Sequence, residues 1–321
     1  MKDLKQDSAN LSKAVKDWQK DSKLISIPNT SYQVFVKEFG NAAASSKRTI
    51  LLLHGFPESS YSYHKVIPGL LKLFDRVIAF DMLGYGFSDK PNSGYSYSLI
   101  EQADVAMHVW QELGVKGGHI LSHDMGTSVL TELVARQVAG FLPAWFADGF
   151  HSYTFTNGSM ALKFAKLRLI QKLLLSKYGA LISKLSSFKS YRLSILSAHG
   201  VSEPEEGGLS EDDIMHLWEN MTLQDGHKKN HLIIRYLNDR KRFEKSRWLA
   251  ALTATGDKTP VHFCWGDADQ VARIEMARYL KNSICPSAIL TEMPGAGHFC
   301  QLGSPELWLK SVNSFYQTLE N

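Results

Sequence analysis

The sequence predicts an α/β fold with a mostly parallel eight-stranded sheet, helices on both faces and a helical insertion. Three observations carry that expectation. Short apolar runs recur that are continuous rather than alternating, as in strands buried on both faces. Segments of helical period lie between them, as a doubly wound sheet requires. The alternation breaks once, from residue 151 to residue 251, and then resumes.

Taken in order, Met1 to Lys23 mixes Lys, Asp and Gln with isolated Leu, Val and Trp, lacks the apolar core of a signal peptide, and reads as a surface helix. Lys23–Ile27 and Tyr32–Phe39 alternate around Pro28-Asn29-Thr30, the pattern of an antiparallel hairpin. The continuous runs follow at Thr49–Leu53, Arg76–Phe80, His119–Leu121, Ala144–Ala147, Val261–Trp265 and Ala288–Met293, with helices expected over Ile100–Leu113 and Gly126–Val138. Residues 151–251 carry helical patterning and no comparable strand signal. They are expected to form a lid over the strand ends, where α/β folds build ligand sites. Residues 1–150 and 252–321 then make one discontinuous core.

Composition agrees. A chain of 321 residues with 44% hydrophobic and 21% charged residues can bury a large core and is neither disordered nor a disulfide-stapled miniprotein. Lys and Arg exceed Asp and Glu by only 36 to 32, too little for a field that grips nucleic acid. Cys264, Cys285 and Cys300 show no C-x-x-C spacing, which argues against a zinc site and suits a reducing, cytoplasmic compartment. No run approaches the ~18 apolar residues of a membrane span. Gly84 and Gly86 form a lone G-x-G, no Walker loop is present and the histidines lack metal spacing, so neither cofactor nor metal is expected.

The insertion divides its charge unevenly. Residues 151–200 hold eight Lys or Arg and no acid, whereas residues 201–220 hold seven acids and no Lys or Arg. Charge runs of this kind are ordinarily solvated or face one another. The other reading is a basic amphipathic helix, Leu162–Leu175, resting on an anionic membrane surface.

Chemistry is concentrated in four loops. Ser122-His123-Asp124-Met125-Gly126 follows a short strand and opens a helix: a small residue, any residue, a nucleophile, any residue and Gly, the nucleophile-elbow pattern with Asp124 at its apex. Taken alone, Asp124 could equally be the N-cap of that helix. His54-Gly55-Phe56-Pro57 ends a buried strand where this architecture offers a backbone N–H to an oxyanion, with the Met125 N–H as second donor. Trp265-Gly266-Asp267-Ala268-Asp269 supplies a carboxylate after a late strand, and Asp148 follows an earlier one. Met293-Pro294-Gly295-Ala296-Gly297-His298 presents a histidine after the last strand. His123 and His54 read as structural, and Cys300 as a small buried hydrophobe.

With these segments, and with Phe80–Pro91 and the later run Tyr236–Phe243, the chain resembles α/β-hydrolases of the branch containing epoxide hydrolases and haloalkane dehalogenases, most of all those of the mesoderm-specific-transcript type. The resemblance covers nearly all the core and is weakest over residues 151–220. It implies an α/β-hydrolase fold and two-step hydrolysis: Asp124 as nucleophile, His298 as base, Asp269 as the acid orienting it, and the Phe56 and Met125 N–H groups as oxyanion hole. It also implies that a lid tyrosine protonates an epoxide oxygen, with Tyr236 ranked ahead of Tyr153, Tyr178 and Tyr191. Because Met125 and Phe56 stand where dehalogenases of this branch place halide donors, epoxides are expected ahead of haloalkanes, and a non-catalytic or membrane-associated binding protein is the further alternative. The expected partners are a small apolar electrophile and water.

Overall fold

The computed structural model describes residues 11–165, 167–204 and 208–320. Eight strands form a single sheet in the order β1-β2-β4-β3-β5-β6-β7-β8. They are β1 (Lys23–Ser26), β2 (Gln33–Gly40), β3 (Thr49–Leu53), β4 (Arg76–Phe80), β5 (Gly117–His123), β6 (Gly149–Thr156), β7 (Val261–Gly266) and β8 (Ile289–Met293). β1 pairs antiparallel with β2 and β2 antiparallel with β4, while every other pairing is parallel. The hairpin and the continuous runs at β3, β4 and β7 therefore lie where the apolar pattern put them, and all residues of those three runs are buried.

The helices are α1 (Lys13–Gln19), α2 (Ile67–Leu70), α3 (Leu99–Glu112), α4 (Met125–Val138), α5 (Leu169–Leu175), α6 (Gly179–Lys184), α7 (Phe188–His199), α8 (Glu211–Thr222), α9 (Asn230–Ile233), α10 (Tyr236–Phe243), α11 (Ala250–Thr255), α12 (Ile274–Tyr279), α13 (Cys300–Gly303) and α14 (Pro305–Glu320). Two apolar clusters sandwich the sheet. One contains Leu51, Ile120, Val129 and Trp110, the other Leu52, Leu121, Trp308 and Phe315, as the strand alternation of facing side chains requires.

Four expectations are corrected. Ala144–Ala147 is a loop, and the strand runs instead from Gly149 to Thr156. Its polar residues concealed it: Ser152, Thr154 and Thr156 are buried, Ser152 Oγ bonds His119 Nδ1 at 2.8 Å, and the Thr154 carbonyl accepts from Ser122 Oγ at 3.2 Å. In consequence the helical segment begins after residue 156, not at 151. Tyr153 belongs to β6 and is buried in the core, so it is not a residue of that segment. Leu162–Leu175 is helical only over Leu169–Leu175, because Arg168 takes extended backbone angles at the start of α5.

The amino-terminal expectation changes as well. Residues 1–10 lie outside the described residues, and α1 is more than a surface helix: Val15 and Trp18 are buried, and the Trp18 indole N–H donates to Ser60 Oγ at 3.3 Å. Among the described residues, no helix is long and apolar enough to cross a membrane.

Candidate active site

Asp124 makes the whole turn from β5 into α4, with φ 44° and ψ −113°. That conformation lies outside the regions open to ordinary L residues and marks a backbone held by its surroundings. The neighbouring glycine is needed for close approach: a Cβ on Gly126 would lie 2.5 Å from the Leu53 carbonyl oxygen and 2.6 Å from that of His54. The Asp124 side chain makes no capping bond to α4, so it is not serving as the helix N-cap. Its Oδ2 instead accepts from the Phe56 N–H at 3.0 Å, across from the loop that follows β3. Met125, next in the chain, is the first residue of α4.

The histidine loop after β8 brings His298 to the same place. Its Nε2 stands 3.8 Å from Asp124 Oδ1, and its Nδ1 bonds Asp269 Oδ2 at 2.8 Å. Asp269 is nearly fully buried and densely held: Oδ1 accepts from the N–H groups of Val271 (2.6 Å) and Ala272 (2.9 Å), and Oδ2 from the Asn157 amide at 2.7 Å. Asp267, two residues earlier, accepts from the Gly295 N–H on the exposed side, and Asp148 is exposed at the start of β6, at the opposite end of that strand. Burial disfavours a charged imidazolium, but the Asp269 charge and hydrogen bond, with help from Asp124, outweigh it and push His298 up to about 9.

A second acid–histidine pair lies behind the first. His123 Nδ1 meets Glu58 Oε1, and its Nε2 donates to the His298 main-chain carbonyl at 2.8 Å. Glu58 also accepts from the Gly55 N–H at 3.2 Å and the Gln301 amide at 3.2 Å. Burial alone would raise the Glu58 carboxyl, yet the charge and hydrogen bond of His123 hold it below the ordinary range. Glu58 and Asn157 were not singled out by motif. Glu58 follows directly on His54-Gly55-Phe56-Pro57, which is the signal that could have found it; Asn157 is the residue after a strand the apolar pattern missed. His54 braces its turn, accepting from the Met82 N–H at 2.9 Å, and Cys300 is a buried thiol pushed well up by burial.

Asp124 and His298 open onto a pocket walled by Phe56, Leu174, Tyr191, Ile195, Trp218 and Phe299, among others. Leu174, Tyr191, Ile195 and Trp218 come from α5, α7 and α8, in the chain between β6 and β7. The four tyrosines separate cleanly. Tyr191 lines the pocket, and its buried hydroxyl has no hydrogen-bond partner among the described residues. Tyr236 is buried beside the site, its ring 6.1 Å from that of Phe56, and burial followed by the Asp124 charge pushes its hydroxyl far up. The Arg240 guanidinium covers the Tyr236 ring at 4.9 Å and donates to Ser128 Oγ of α4 at 2.8 Å, which fixes α10 against the core. Tyr178 is 58% exposed and away from the pocket, and Tyr153 lies within the sheet.

Residues 48–305 match the model of the alpha/beta hydrolase fold family. The chain belongs to that family. It is 34% identical over 303 residues to LipZ of Mycobacterium tuberculosis strain H37Rv, covering 94% of this chain and 98% of that one. It is 30% identical over 320 residues to the mesoderm-specific transcript homolog protein of Homo sapiens, covering 95% and 90%. Among solved structures, the epoxide hydrolase CorEH superposes with a TM-score of 0.69 at 20% identity, over 93% of this chain and 99% of that one, a likeness of fold. The mostly parallel eight-stranded sheet of this hydrolase is that of the family.

Proposed function

We propose that this hydrolase opens epoxides to diols through a covalent ester on Asp124, beneath a lid formed by the helices between β6 and β7. The observation that carries the reading is the double engagement of one carboxylate: Asp124 Oδ2 accepts from Phe56 at 3.0 Å while Oδ1 faces His298 at 3.8 Å. A carboxylate so placed displaces well at saturated carbon, and the resulting ester remains open to hydrolysis. Attack on an ordinary ester would give a reactive anhydride instead.

In the first step Asp124 bonds to one epoxide carbon, that carbon–oxygen bond breaks, and a tyrosine hydroxyl supplies the proton. Tyr236 and Tyr191 are the residues for this role; Tyr178 and Tyr153 are not. In the second step His298 takes a proton from water and hydroxide adds to the Asp124 carbonyl, whose oxyanion faces the Phe56 and Met125 N–H groups. Collapse expels the diol. Of the two protons of that water, one ends on the departing alkoxide and the other restores the tyrosine. Alkylation also removes the Asp124 charge, one of the influences holding the His298 proton, so the histidine becomes a readier acceptor when the second step needs one. The residues at the usual halide positions, Met125 and Phe56, offer no side-chain N–H, which favours epoxides over haloalkanes.

The test is to incubate His298→Gln with styrene oxide and other epoxides and to follow the peptide carrying Asp124 by mass spectrometry. A mass gain equal to the epoxide is expected. No adduct from any epoxide or haloalkane, with wild-type protein cleaving simple esters, would end the alkyl-ester scheme.

A further inference from the structure

Among the described residues, twelve large apolar side chains are exposed, and seven of them fall between residues 169 and 193. Leu169 is 72% exposed, Leu185 68%, Tyr178 58%, and Leu181 and Leu193 56% each. On α5, Leu169, Ile170 and Leu173 share a face; around α6, Tyr178, Leu181 and Leu185 recur at helical spacing. The two helices pack on one another, so their outer faces adjoin. Scattered single exposed leucines are ordinary, whereas a concentration of this kind marks an interaction surface.

The charges on the stretch that carries the patch, residues 163–192, are of one sign, and Asp225 of the 223–229 segment packed on α6 is paired with Lys228 at 2.8 Å. Lys172, Lys177, Lys184 and Lys189 are exposed, and none of them pairs with a carboxylate among the described residues. Four of the acids that follow in sequence are engaged away from the patch: Glu203 and Glu211 with Arg192, Asp213 with Lys65, and Glu219 with the Ser12 N–H. The two halves of the insertion therefore meet through Arg192, and the four lysines of the patch take no part in that pairing. The patch also reaches the pocket, because Ile170 is 37% exposed and lines it together with Gln171 and Ser190.

We propose that the α5–α6 face seats this hydrolase on an anionic lipid surface, with its leucines in the acyl boundary and its lysines at the headgroups, so that apolar substrate enters the adjoining pocket from the membrane. Apolar side chains flanked by lysine are what an interfacial helix presents to such a surface. A second copy of the chain fits poorly, since a twofold pairing of this face would set lysines against lysines. The docking is independent of the Asp124 chemistry, and its test reads binding alone.

The full chain is sedimented with vesicles of phosphatidylcholine and with vesicles containing phosphatidylglycerol as well, at low and high salt. Binding is expected only to the anionic vesicles and should weaken as salt rises. Each change of Lys172, Lys177, Lys184 or Lys189 to Gln should weaken it about fivefold. The triple variant Leu169→Glu, Leu181→Glu, Leu185→Glu should abolish it with Tm unchanged, since all three side chains are exposed. Equal binding to both vesicle types, or retention by the triple variant, overturns the proposal. So does a wild-type dimer that the triple variant converts to monomer, which would make a second copy the occupant.

Discussion

His123 Nε2 donates to the main-chain carbonyl of His298 at 2.8 Å, tying the residue before Asp124 to the loop that carries the other half of the site. Glu58 holds the far side of the same ring, and both side chains are wholly buried. Removing one partner of such a pair leaves an uncompensated polar group in the interior. Glu58→Ala is expected to cost about 3–5 kcal/mol, read as a fall in the urea midpoint. Glu58→Gln, which keeps a hydrogen bond to the ring, should lose clearly less; equal losses would show that the pair contributes only volume.

Stability should depend on pH through His298. Its folded value of about 9 lies above the ordinary 6.5, so the folded state binds the proton more tightly. The resulting stabilisation is fully present below pH 6.5 and is lost as pH rises through 9, a change of roughly 3 kcal/mol across that window. Chemical denaturation at a series of pH values measures it. Asp269→Asn should flatten the curve between those limits, whereas Asp267→Asn should not, because only Asp269 bonds the ring.

The tyrosines give a three-way comparison. Tyr236→Phe and Tyr191→Phe should each slow epoxide opening by about a hundredfold or more, the usual worth of a positioned proton donor. Tyr178→Phe should leave kcat unchanged. Tyr191→Phe should also raise stability by up to about 1 kcal/mol, because it deletes a buried hydroxyl that has no partner among the described residues. A loss of stability in Tyr191→Phe would mean that the hydroxyl is satisfied after all.

Gly126→Ala tests the tightness of the elbow. The added methyl group would meet two carbonyl oxygens of the β3 end at 2.5 and 2.6 Å, both backbone and neither able to swing aside. We expect a loss of about 1–3 kcal/mol, as for overpacked interiors, together with a drop in kcat from displacement of the Phe56 N–H donor. Unaltered Tm and kcat would argue that α4 shifts freely against β3.

The parts legible in the sequence share a physical cause: they repeat a pattern that one residue type can announce. β3, β4 and β7 are wholly buried, so their apolar runs are unbroken, and Gly126 must be small for Asp124 to turn. β6 escaped because Ser152, Thr154 and Thr156 satisfy their hydroxyls or lie buried among neighbours from distant chain positions, and a strand of polar residues does not look buried. The same error placed Tyr153 in the insertion. Choosing among the tyrosines needed three-dimensional information too, since nothing local distinguishes Tyr191, which lines the pocket, from Tyr178, which faces outward. The extended backbone of Arg168 likewise halved a helix that apolar period alone would continue.

Asp124, Asp269 and His298 all sit on loops at strand ends of the sheet, while Leu174, Tyr191 and Trp218 belong to the chain between β6 and β7. The carboxylates and the histidine are thus encoded apart from one wall of the pocket, and the two can be inherited separately. Grafting the 158–251 segment of a relative onto this sheet would exchange the set of molecules admitted, and the tyrosines with it, while leaving Asp124, His298 and the Asn157 that holds Asp269 where they are.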